Sequence, residues 1–150
     1  MTMIPDTSRY STFLQNYNEG ISQLNEQLSG SFFENIKSDK NFIQEQAGPD
    51  NLLSKKISEI DAYQHNTQLD NYTKLKLTGK ILQDIAPMIV SDPNINIKRS
   101  GASIINSFFD VARQTEDEEL LRTASTISRV VNGVPKPVAV QNPVTVQSTI

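Results

Sequence analysis

Titratable and nucleophilic side chains are thinly spread in this sequence, and none is spaced as a catalytic set. General acid or base chemistry needs a titratable pair held in a cleft. The densest acids, Glu116-Asp117-Glu118-Glu119, fall where a helix is expected to begin, and capping accounts for them. Cysteine is absent, which removes thiolate metal sites, disulfides and a cysteine nucleophile, and the single His65 has no second imidazole with which to share a metal. Phosphate cradling needs a glycine-rich loop. Thr78-Gly79-Lys80 lacks the preceding glycine and lies inside a helical pattern, where it reads as helix surface. The expectation is therefore a protein with no catalytic residue, no metal and no cofactor, in which His65 is exposed or caps a helix.

Binding chemistry is better represented. Cations concentrate at Lys55-Lys56, at Lys74, Lys76 and Lys80, and at Lys98-Arg99. Lys98, Arg99 and Ser100 fall in the first turn of an expected helix, where backbone amides point outward, so these three are the candidates for contact with a nucleic-acid phosphate. No aromatic residues are interleaved with them for base stacking. With 14 Lys+Arg against 17 Asp+Glu and a net charge of −3, the chain does not coat DNA as a basic monomer, because non-specific affinity comes from phosphate neutralisation. Double-stranded DNA could be met only through a local patch or through repetition in an oligomer.

The elements that carry these residues are read from apolar periodicity. From about Ser8 to Leu28 the residues Tyr10, Phe13, Leu14, Tyr17, Ile21, Leu24 and Leu28 recur in steps of three and four after Leu14. This is the seam spacing of a coiled coil; over so short a run it is expected to face the core. Ser29-Gly30 should stop that helix, and Phe32, Phe33, Ile36, Phe42 and Ile43 predict a short helix or two before Gly48-Pro49. With Asp50 or Asn51 as N-cap, one long helix or two abutting ones should follow through Leu75, Leu82 and Ile85, to be kinked or ended by Pro87. After a turn at Ser91-Asp92-Pro93-Asn94, a helix from near Asn96 to Arg113 should bury Ile97, Ile104, Ile105, Phe108, Phe109 and Ala112. Thr115 and Glu118 match a capping box. They start a last helix with a buried stripe of Leu120, Leu121, Ala124, Ile127, Val130 and Val131, ended by Asn132-Gly133 and Pro135.

The predicted architecture is all-α, with four to five helices including a long antiparallel helical hairpin and an extended Pro/Val-rich C-terminal tail. Residues 1–7 form an N-terminal extension, 8–133 the helical domain and 134–150 the tail. Three prolines prevent a central strand there, while Val140, Val144 and Val146 could dock on a partner by strand addition. No apolar run approaches the roughly 20 residues that span a bilayer. The N-terminus lacks the cationic and apolar regions of a signal peptide. A soluble intracellular chain with no membrane partner is expected, its surface polar through Asn and Gln more than through charge.

Taken together, the helical hairpin with its loop near Pro93, Lys98-Arg99-Ser100 at the start of its second arm, Glu118-Glu119-Leu120-Leu121 and the Val140-Gln141-Asn142 tail resemble the small terminase subunit of T-even-like tailed phages. The resemblance covers roughly residues 70 to 147 and is one of pattern. It implies a homo-oligomeric ring built on a central pair of antiparallel helices, in the cytoplasm of an infected bacterium, whose flanking segments contact DNA or the large terminase motor subunit. Leu75, Leu82, Ile85, Ile105, Phe108 and Leu121 would then hold the hairpin and its neighbours together, and Tyr10, Leu14, Tyr17, Ile21, Leu24 and Leu28 would supply further packing or oligomer contacts. Two other readings follow from the residues alone: a helical virion or assembly protein, with a place in the virion, or a small protein-binding module acting through its tail.

Overall fold

The computed structural model describes residues 7–132; the side chains of residues 7–11 and of Asn18 lie outside that description. The N-terminal extension and the tail, including Val140, Val144 and Val146, also fall outside it. The described residues are all-α, as expected. Helices α1 (Thr7–Asn35), α2 (Lys37–Ala47), α3 (Leu52–Gln64), α4 (Asn71–Ser91), α5 (Ile95–Thr115) and α6 (Glu118–Val131) follow in order.

α1 does not stop at Ser29-Gly30. The Ser29 hydroxyl donates to the Asn25 carbonyl 2.7 Å away, inside the helix, and Gly30 lies where a Cβ would come 3.1 Å from the Asn71 amide nitrogen. The Asn71 side chain of α4 comes close there, and the helix does not end. The break falls instead at Ile36, which is fully buried, and helical hydrogen bonding continues across it from Ile36 N–H to the Phe32 carbonyl. α1 and α2 thus abut. α2 ends at Gly48, whose φ of 84° suits only a residue without a Cβ. Asn51 then caps α3, accepting from the Leu53 amide at 2.8 Å.

The predicted long stretch after Asn51 divides in two where the polar residues Gln64 to Gln68 interrupt the apolar pattern. Asp70 caps α4, accepting from the Thr73 amide at 2.8 Å. Pro87 does not end α4. Its ring is on the exposed side, while Ile85, Ala86 and Ile89 around it are buried and hold the final turn in place to Ser91. Asn94 caps α5. At the next corner the cap is Asp117, which accepts from the Leu120 amide at 2.9 Å, and not Thr115, the last residue of α5. Glu116 between them adopts the left-handed conformation at φ 55°.

Cross-links give the directions. Lys40 reaches Asp61 and Gln64 while Gln44 reaches Ser58, so α2 and α3 are antiparallel. Lys74 bonds the Gln64 carbonyl and Lys56 pairs with Asp84, so α3 and α4 are antiparallel too. Ile89 lies against Gly101 and Gly79 against Phe108, which makes α4 and α5 the long antiparallel hairpin, 21 residues in each arm. α6 runs parallel to α4, with Tyr72 bonded to Asp117 and Gly79 against Thr123. α4 packs against α1, α3, α5 and α6, and so occupies the centre.

Candidate functional site

Apolar residues from the same sequence pattern separate into a core and an uncovered stripe. Leu75, Leu82, Ile85, Ile105 and Phe108 are fully buried, with Phe108 edge-on to Phe32 at 6.1 Å between ring centroids. Leu121 is not among them. It is 40% exposed at a shallow groove with Phe109, Ala124 and Ser128, and Thr123 takes the buried place on α6 instead. A helix turns 100° per residue, so Leu120, Thr123 and Ile127 fall on one line facing α4 while Leu121 is rotated off it.

The greater departure is in α1. The expectation that its seam faces the core is overturned. Phe13 is 62%, Leu14 40%, Tyr17 59%, Ile21 41% and Leu24 47% exposed, and every side chain described from Thr12 to Leu24 faces solvent. Phe13 and Tyr17 stack on each other at 6.4 Å. Only from Leu28 onward does α1 meet the core, first through Leu28 and then through Phe32, Phe33 and Ile36. Tyr10, at the far end of the seam, has its side chain outside the described residues.

Beside that packing, a carboxylate ties α1 to the start of α4. Glu26 of α1 accepts from the Asn71 amide at 2.7 Å with one oxygen and from the Tyr72 amide at 3.1 Å with the other, so it fills the positive N-terminus of α4. Asp70 caps the same end, and the Thr73 hydroxyl and amide hold its carboxyl below the ordinary 3.8. On the other side, the Tyr72 hydroxyl donates to Asp117, while Lys76 lies 4.6 Å above the Tyr72 ring and within 3.8 Å of Glu119. Burial first, then the bond to Asp117, push the Tyr72 phenol well above its ordinary 10.0. Asp70 with Thr73 and Tyr72 with Lys76 are local pairs, but Glu26 with the start of α4 and Tyr72 with Asp117 could not have been paired from spacing, since they stand 45 or 46 residues apart.

The acidic stretch is thereby committed to structure. Asp117 caps α6 and holds Tyr72, Glu118 pairs with Arg122, and Glu119 with Lys76 and Lys80. His65 is exposed and caps the end of α3, its Nδ1 2.9 Å from the Asp61 carbonyl. Thr78 and Gly79 are buried in α4, not on its surface, and Thr78 Oγ1 has no hydrogen-bond partner there. Among the described residues no three His, Cys, Asp or Glu side chains converge as a metal set.

Lys98, Arg99 and Ser100 lie one turn into α5. Lys98 and Ser100 are half-buried and Arg99 exposed. The amides beneath them are already used: Asn94 Oδ1 accepts from Asn96 at 2.9 Å and from Ile97 at 3.3 Å, and the Asn94 carbonyl accepts from Lys98. An anion at this corner would be held by side chains, without the help of those amides. Among the described residues neither Lys98 nor Arg99 has an ion-pair partner, whereas Lys40, Lys56, Lys76 and Lys80 each do. No described helix is long and apolar enough to cross a membrane. No protein-family model, curated protein or solved structure matches this chain, so its functional reading rests on the geometry of its own residues.

Proposed function

We propose that this protein is a non-enzymatic, oligomer-forming subunit that works in phage DNA packaging in the manner of a small terminase. The observation that carries the assembly part is the apolar stripe of α1. The chain completes a core from α1 to α6 and still presents Phe13, Leu14, Tyr17, Ile21 and Leu24 to solvent. Contiguous apolar surface of that kind marks a protein contact. The α4/α5 hairpin and the resemblance over residues 70 to 147 support the packaging part. In this reading the body repeats around an assembly, and the corner at half-buried Lys98 and exposed Arg99 meets double-stranded DNA once per subunit. Repetition would add these local phosphate contacts along the duplex, while each subunit still carries a net charge of −3. The tail, with Val140, Val144 and Val146, is the segment that reaches the large motor subunit. The site of action is the host cytoplasm.

A second reading, a helical virion or assembly protein that ignores DNA and the motor, is favoured by one observation. Among the described residues of the stripe and its margins there is no cation that would link assembly to nucleic acid. Native mass by light scattering after size exclusion, at low and at moderate salt, comes first. A defined particle of several chains that retains duplex DNA and alters ATP hydrolysis by a large terminase subunit supports packaging. The same particle without either effect transfers the protein to the structural class, and a 16.8 kDa species at all concentrations overturns both.

A further inference from the structure

We infer that the α1 stripe is covered by the same stripe of a second copy, so that two chains pair arm to arm. This rests on the assembly reading above and specifies its contact. The steps of three and four place Leu14 and Ile21 at the a positions of a heptad, and Tyr17 and Leu24 at the d positions. Phe13, Gly20 and Gln27 flank the seam on one side, with Asn18 and Asn25 on the other. No flanking residue is charged, so a second copy meets no like charge at the positions where charges normally select or reject a partner helix. Glu19 lies on the outer face, where it accepts a hydrogen bond from Gln15.

The exposed area limits such a pair. With about 150 to 200 Å² for each fully exposed side chain, the five exposures leave on the order of 450 Å² of apolar surface per copy. A pair would bury at most about 900 Å² there, below the roughly 1,200 Å² of a standard interface, so the pairing this stripe supports is a weak one. Ile at a and Leu at d, at Ile21 and Leu24, suit two strands. A two-fold contact of this kind is closed, since each arm uses up its own stripe. Any ring must therefore join dimers through a different surface.

The test uses the full chain. Sedimentation from about 1 to 100 µM should show the wild type rising from 16.8 kDa toward twice that mass or beyond, the range in which a weak pairing is read. Changing the salt between about 50 and 500 mM should move the midpoint less than about threefold, because no ion pair is involved. Leu14→Glu with Ile21→Glu should hold the protein at 16.8 kDa throughout, with unchanged helical circular dichroism, since neither side chain touches the core. Lys98→Glu with Arg99→Glu should pair like the wild type. A multimer that survives the α1 double substitution overturns the arm contact and leaves the assembly reading standing. A wild type that stays at 16.8 kDa overturns both. Loss of pairing when residues 134–150 are deleted, with helical content intact, would assign the stripe to the tail and overturn the arm-to-arm contact.

Discussion

The two halves of α1 are similar in residue type and opposite in environment. Phe32 and Phe33 in the second half are 2% and 3% exposed, while Phe13 and Tyr17 in the first are 62% and 59% exposed. The seam of the first half is the more regular of the two, so periodicity did not decide burial. Neighbours did. The second half lies against α4 and α5, where Phe32 meets Phe108 and Glu26 clamps the start of α4. Before Asn25 no described side chain is covered. A regular apolar stripe thus reports an amphipathic helix and not its burial, and among the described residues nothing covers this one.

That contrast can be broken most sharply at Phe108. Phe108→Ala should destabilise the fold by about 3 to 5 kcal/mol in urea unfolding, as loss of a buried aromatic side chain does. A cost below about 1 kcal/mol would mean that the α4/α5 centre is not what holds the molecule. Next in size is Gly101→Ala. A Cβ there would come 2.7 Å from buried, β-branched Ile89, so overpacking of about 1 to 3 kcal/mol should exceed the helix-propensity gain of alanine. A Gly101→Ala variant as stable as the wild type would show that the hairpin has room near its loop.

Tyr72→Phe should cost about 1 to 2 kcal/mol near neutral pH, because it removes a hydrogen bond to a charged partner, Asp117. It also has a pH signature. The folded state holds the Tyr72 phenol above 10.0, so the unfolded chain loses this proton first. The contribution is complete below pH 10 and declines as pH rises beyond it. The wild type should therefore lose stability more steeply than the Tyr72→Phe variant in alkaline urea titrations, and parallel curves would remove Tyr72 from the account. The smallest effect belongs to the stripe. Phe13→Ser, measured at a concentration where the chain is monomeric, should change unfolding stability by less than about 0.5 kcal/mol. A loss of 2 kcal/mol would place Phe13 in the core after all and erase the difference between the halves.

Much of this organisation was legible in the residues. The all-α class, the corner at Ser91 to Asn94, the Asn51 cap and the amphipathic run of α5 follow from local rules of capping, breaking and period, as does a helix start among the 116–119 acids, though its cap is Asp117 and not Thr115. These act within a few residues, so they can be read without knowing which helices meet. Composition also excluded cysteine chemistry and a basic DNA-coating surface outright. Packing settled what depends on which helix lies beside which. Gly30 is a close approach and not a stop, because α4 passes there. Pro87 is tolerated because its buried neighbours hold the last turn of α4. Leu121 is exposed and Thr123 buried, because α6 is set against α4 by Tyr72 and Asp117. Above all, the seam of α1 is uncovered because the core is complete without it. Burial is a property of the packed whole, and a helix cannot record in its own period whether the partner for its apolar face lies within the same chain.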